Sequence, residues 1–461
     1  MKLIRSIITL CFCSLFISQS FGLETLIQGN VKGFDGEQVR LGYYQDYITF
    51  KKVFVETDII ENGQFQLNID LQDVKQLILM IEDKQTSLFA EPGQVYNLSI
   101  SYSIENNAKR AFEKYLDLKF SFPKADELNQ RIKQFNSEYQ AFFAEHYEKF
   151  VVNEAGKEIE EFVKKEKAKT EYHSPAFLKN YVRYALANLE DINKKPTDKL
   201  EAEYLKGQKV LLDHKEYMNF FRQLYAEDFE QLLIKKDAQP LMKAIMFEED
   251  LNHSLELLKG LKKFESQELT ELYFINGLFE VYHKKTVNQK SNLALLKALS
   301  KNASNEGLKK LASAVAERLE LLAEDKTAPA FALKNAEGVE VKLSDLKGKP
   351  IYLGFWANWS IISLKELRLI QELKEEYGDK IHFVSINIDE DEEANKMVKA
   401  QFNYDWEFLY GGKDYLLREQ YEVNTVPVYF LIDEEGKLIR RYAPAPHQIE
   451  PQLKKMLGTG S

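Results

Sequence analysis

The 461-residue chain carries 62 Lys and Arg against 72 Asp and Glu, a formal charge of −10, with 44% hydrophobic and 12% aromatic residues. That length allows about three domains, and the apolar fraction supports packed cores, which excludes a wholly disordered chain. The acidic balance argues against nucleic acid or an anionic membrane surface as the main partner.

Lys2 and Arg5 precede a mostly apolar run from Ile7 to Ile17, and Ser20-Phe21-Gly22 puts small residues at −3 and −1. The pattern predicts a signal peptide over residues 1–22, cleaved before Leu23. A retained anchor is the alternative, although the run is short for a bilayer span. Both cysteines of the chain, Cys11 and Cys13, fall in this segment, and Leu10 and Phe12 before them do not suit a lipidation site. After cleavage no thiol remains for a disulfide, an exchange reaction or a thiolate metal site. No later apolar stretch approaches the length of a membrane span, so a periplasmic or secreted location is expected.

Residues 23–103 alternate apolar and polar side chains, as in Val39-Arg40-Leu41-Gly42-Tyr43 and Gln64-Phe65-Gln66-Leu67-Asn68-Ile69. Turn signals at Gly33-Phe34-Asp35-Gly36, Glu61-Asn62-Gly63 and Glu91-Pro92-Gly93 separate the runs, which predicts an antiparallel β-sandwich-like domain.

Over residues 104–325 the period becomes helical. Phe112, Tyr115, Leu116 and Phe120 share one face, as do Phe177, Leu178, Tyr181, Tyr184 and Ala185, and later Leu308, Leu311, Val315 and Leu319. An all-α middle region is expected, its aromatic stripes serving as core, or lining a groove for a small molecule or glycan. The isolated histidines suggest no metal site, and no phosphate loop, zinc-protease or nucleophile-elbow motif occurs.

Residues 326–461 open on Ala328-Pro329-Ala330-Phe331-Ala332-Leu333. The buried run Ile351-Tyr352-Leu353-Gly354-Phe355 then leads into Trp356-Ala357-Asn358-Trp359-Ser360-Ile361-Ile362-Ser363. Leu364 to Tyr377 reads as an amphipathic helix, Ile381 to Asp389 as a buried strand and Glu392 to Phe402 as a helix. Thr425-Val426-Pro427 precedes a further strand, a hairpin crosses Asp433-Glu434-Glu435-Gly436, and residues 448–457 form a last helix. This order resembles the TlpA/ResA family of thioredoxin-fold proteins, in which Phe-Trp-Ala-x-Trp-Cys-x-x-Cys opens a helix that a cis-proline faces. The N-terminal domain resembles, more loosely, a β-rich domain that precedes thioredoxin-like domains in bacterial envelope proteins. The expected fold is therefore multidomain: an antiparallel β domain, an all-α middle region and an α/β thioredoxin-like domain.

The resemblance implies thiol–disulfide oxidoreductase activity, but Ser360 and Ser363 occupy the two cysteine positions. Exchange needs a thiolate, so the catalytic pair is degenerate. Gly354 stands where thioredoxins keep a buried acid, and Glu366 matches a possible accessory acid in the first helix. A serine nucleophile needs an oriented base, and His382 and His447 are not placed for one. The run Asp389-Glu390-Asp391-Glu392-Glu393 lacks calcium-loop spacing and reads as a strand end and helix start. Trp356, Trp359, Ser360, Ile361, Ile362, Ser363, Val426 and Pro427 are then expected to form a binding groove for a polypeptide or envelope-protein partner, without catalysis, cofactor or metal.

Overall fold

The computed structural model describes residues 22–103, 114–121, 126–284, 286–389, 391–412 and 414–458. The predicted leader through Phe21, with Cys11 and Cys13, and Phe112 of the first helical stripe lie outside the described residues.

Seven strands run in succession: β1 (Leu23–Val31), β2 (Gln38–Tyr44), β3 (Lys52–Ile59), β4 (Gln64–Leu71), β5 (Lys75–Ile81), β6 (Lys84–Ala90) and β7 (Val95–Ser101). β8 (Lys114–Tyr115) and β9 (Asp117–Ser121) complete two sheets, ordered β4-β1-β7-β9 and β3-β2-β5-β6-β8. Pairing is mostly antiparallel, with β1–β7 and β6–β8 parallel. Alternation faces Ile27, Leu67 and Leu98 of one sheet against Leu41, Leu79 and Leu88 of the other, in one core.

One helical expectation fails. Tyr115, Leu116 and Phe120 lie in or beside strands, because β9 pairs antiparallel with β7 from Asn97↔Ser121 to Ser101↔Asp117. Leu118 and Phe120 alternate with charged residues there, and a five-residue run fits either period until a partner strand is present.

Helices begin at Leu128–Glu145 and end at Glu306–Leu321. Leu178, Tyr181, Tyr184 and Ala185 are buried, as are Leu308, Leu311, Val315 and Leu319. The aromatic stripes thus form core, in two clusters. The Asn129 side chain joins this region to β6 by accepting from Phe89 N at 2.7 Å and donating to Phe89 O at 2.8 Å.

The C-terminal strands are β10 (Ala332–Asn335), β11 (Glu340–Lys342), β12 (Ile351–Trp356), β13 (His382–Asn387), β14 (Glu407–Tyr410), β15 (Val428–Ile432) and β16 (Leu438–Arg440). They form one sheet, ordered β11-β10-β14-β13-β12-β15-β16. Central β12 runs parallel to β13 and antiparallel to β15. Ile351, Leu353 and Phe355 enter one core; Tyr352 and Trp356 enter the other, under helices Ile361–Tyr377 and Pro446–Met456. A strand covered on both faces reads as a continuous apolar run, which is what β12 is. Among the described residues no helix is long and apolar enough to cross a membrane.

Candidate functional site: a serine turn facing a proline loop

β12 delivers the chain to the site. Trp356, its last residue, is buried and packs edge-on against Phe408 with ring centroids 5.7 Å apart. It therefore offers no surface to the groove, which corrects its inclusion among the groove-lining residues: its side chain follows the strand's inward alternation.

Beyond it the backbone turns, Ser360 N donating to Ala357 O at 3.1 Å, and the helix Ile361–Tyr377 begins. Ser360 is its N-cap: Oγ accepts from Ser363 N at 3.2 Å, satisfying one of the donors that the first turn leaves without an intrahelical partner. The same hydroxyl lies 3.4 Å from Val426 O, to which it donates. The Val426–Pro427 peptide is cis. Ser363 is 1% exposed, and its Oγ has no hydrogen-bond partner.

Around this buried pair the surface is apolar. Trp359 is 50% exposed, Ile361 70% and Ile362 60%, while Val426 is buried and Pro427 half-buried. A helix start that shows solvent two isoleucines and a tryptophan has not placed its apolar residues for its own core.

The two acid positions have changed use. A Cβ on Gly354 would lie 2.7 Å from Cε1 of Tyr429, its cross-strand neighbour, so the tyrosine ring fills the space beside the glycine. Tyr352 stacks on that ring at 5.0 Å, and Tyr429 OH donates to Glu366 Oε2 at 2.8 Å. Glu366, one helical turn beyond Ser363, is thereby engaged as an acceptor. Burial, with the neighbouring Tyr352 and Glu366, pushes the Tyr429 hydroxyl far above its ordinary range, so it stays a donor.

A further acid belongs to the site, one that the residues alone mark only as a strand end. Asp389, just past β13, is buried, and its Oδ2 accepts from Asn358 N at 2.7 Å and Asn387 Nδ2 at 2.6 Å. Burial raises its pKa above the usual aspartate value, against the pull of those two hydrogen bonds. It holds the Trp-Ala-Asn-Trp turn in place. The available signal was an acid closing the strand-like run from Ile381 to Ile388. Asp391, by contrast, caps the helix Glu392–Phe402 by accepting from Glu393 N at 3.0 Å, the helix-start role expected of that run.

Neither histidine of this domain serves the serines. His382 starts β13 opposite Ile351, at the other end of the sheet from Trp356. His447 Nδ1 lies 3.9 Å from Glu366 Oε1 with its side chain half exposed. The site offers hydroxyls without a base and an apolar rim.

Residues 323–457 match the Redoxin family. The chain is 33% identical over 135 residues to a thiol-disulfide oxidoreductase ResA of Bacillus cereus, which covers 28% of this chain and 77% of that relative. It is 33% identical over 114 residues to the thioredoxin-like protein YneN of Bacillus subtilis, covering 24% and 67%. A solved thiol:disulfide interchange protein from Bacteroides sp. aligns at 23% identity with a TM-score of 0.28, over 30% of this chain and 92% of its own. Its Redoxin domain, and the share of the Bacillus cereus protein that it spans, place the chain in the ResA-like family of thioredoxin-fold thiol-disulfide oxidoreductases.

Proposed function

We propose that the protein is an exported member of this family without thiol chemistry, which binds an extended apolar polypeptide segment at the serine turn and assists assembly in the cell envelope. One observation carries the reading: both cysteine positions hold serines, one capping a helix and one buried, beside three exposed apolar side chains. Exchange begins with a thiolate attacking sulfur. Here one hydroxyl caps a helix, the other is buried, and no cysteine follows residue 13. The rim of Trp359, Ile361 and Ile362 carries no charge, which favours an apolar segment, and a backbone laid along the Val426–Pro427 loop would supply the main-chain contacts. The leader is cleaved before Leu23, and the product resides in the periplasm or outside the cell.

The test pairs binding with turnover. A reduced, alkylated and fluorescently labelled unfolded polypeptide should bind saturably by anisotropy. Trp359→Asp and Ile361→Asp should each weaken it roughly tenfold or more while moving stability by no more than about 0.5 kcal/mol, as exposed sites do. Insulin reduction should match a protein-free blank. Turnover above that blank, or binding indifferent to both substitutions, would sink the reading.

A further inference from the structure

A cavity of about 620 Å³ opens in the middle region, and its wall is cationic although the chain is acidic. Five lysines line it against Glu160 and Glu190. Lys164 and Lys167 come from the helix Gly156–Lys167, Lys194 and Lys195 from the turn after the helix Ala176–Ile192, and Lys199 from the helix Thr197–Tyr204.

Two of the five are committed. Lys167 Nζ lies 3.2 Å from Glu190 and 2.9 Å from Glu203, and Lys195 Nζ lies 3.1 Å and 2.7 Å from the same two carboxylates. That quartet is neutral and ties the three helices together. The side chains of Lys164, Lys194 and Lys199 are exposed and pair with no carboxylate among the described residues.

Two of these three stand where the local backbone does not favour a lysine. Lys194 follows the helix cap Asn193 with a left-handed φ of 57°. Its N–H bonds Asp191 O at 2.8 Å, and that of Lys195 bonds Glu190 O at 3.1 Å, a helix ending in which glycine or asparagine is the usual residue. Lys199 is the third residue of its helix, after the cap Pro196, at the end where the macrodipole disfavours a cation. Neither charge serves the turn or the helix that carries it.

The balance of charge sets the ligand class. Five lysines against Glu160, Glu190 and Glu203 leave two positive charges, the complement of a dianion. No arginine is on the wall among the described residues, so the donors are ammonium point charges, which suit a tetrahedral phosphate better than a planar carboxylate. The volume exceeds what a bare phosphate needs, and Ile159, Val163 and Pro196 line the same cavity, so an organic body has apolar contacts there.

We propose that this cavity binds a small phosphate monoester as its dianion, the phosphate among Lys164, Lys194 and Lys199 and the organic body against Ile159, Val163 and Pro196.

Phenyl phosphate is the probe, and calorimetry on the whole protein is the readout. The expected result is saturable binding at one site per chain that weakens as salt is raised. Inorganic phosphate and benzoate should bind more weakly. Lys194→Asn keeps a residue suited to the left-handed turn, and Lys164→Gln and Lys199→Gln keep helix-forming side chains, so all three variants should melt as the parent does. Each should raise the Kd roughly threefold or more, and the triple variant should abolish binding. Lys301→Gln, at an exposed lysine of the helix Gln289–Asn302 outside the cavity, should leave the Kd unchanged. Four results would overturn the proposal: no saturable binding of phenyl phosphate, benzoate or inorganic phosphate binding as tightly, a Kd unchanged in the triple variant, or an equal loss in Lys301→Gln.

Discussion

Ser360→Ala and Ser363→Ala are the same chemical edit three residues apart, and only the first should destabilise the fold. At Ser360 the hydroxyl accepts from Ser363 N at 3.2 Å and donates to Val426 O at 3.4 Å. Alanine removes the cap, which costs about 1 kcal/mol, with about 2 as the upper end. At Ser363 the buried hydroxyl has no partner. Removing an unsatisfied buried hydroxyl relieves a penalty of about 1–3 kcal/mol, partly cancelled by the small void left behind, and alanine suits the helix better. Ser363→Ala should therefore be neutral or stabilising by up to about 1 kcal/mol. Urea unfolding, followed by a probe in the C-terminal domain, measures both. Hydrogen exchange supplies the local check: in Ser360→Ala the Ser363 amide should lose protection, since its acceptor is gone. Equal destabilisation by the two variants, or unchanged Ser363 exchange in Ser360→Ala, would refute the capping argument.

Three other outcomes follow from the packing. Gly354→Ala should cost about 1–3 kcal/mol, because its new Cβ meets the Tyr429 ring at 2.7 Å; pairing it with Tyr429→Leu should recover part of that loss in a double-mutant cycle. Trp356→Ala should cost about 3–5 kcal/mol, in contrast to the exposed Trp359, and urea midpoints read the difference. His214, buried against Phe177 with ring centroids 4.5 Å apart, has its pKa lowered by burial to about 4. In the unfolded chain the same group titrates near about 6.5, so the unfolded state binds more protons between the two values. The contribution is fully present above pH 6.5 or so and falls by up to about 1.4 kcal/mol per unit as pH drops toward 4. His214→Phe should flatten that slope relative to the parent, and an unchanged difference between them would reject it.

The sequence was most informative where local pattern and burial coincide. β12 is apolar without interruption because both its faces are covered, and Gly436 adopts the left-handed backbone (φ 91°) that its hairpin turn needs. The helix after Ser360 could be read because serine is a preferred cap. Other features were hidden because they arise from pairing across the chain. β9 becomes a strand only beside β7, and Tyr429 meets Gly354 only through the β12–β15 register. Asp389 looked like one acid in an acidic run until the fold placed Asn358 against it. The five lysines of the cavity wall come from three stretches of chain and carry no shared motif.

The tyrosine beside Gly354 bears on how this lineage can change. Reinstating cysteines at 360 and 363 would rebuild a dithiol, but a proton-shuttling acid at 354 would have to displace an aromatic ring that is also stacked on Tyr352 and bonded to Glu366. An acid at 354 with Tyr429 unchanged would be overpacked, and a smaller residue at 429 with Gly354 unchanged would leave a hole, so each single step costs stability before the pair is complete. A dithiol together with an acid at 354 thus takes four substitutions, at 354, 360, 363 and 429. Packing thereby ties what can stand at 354 to what stands at 429, a strand away.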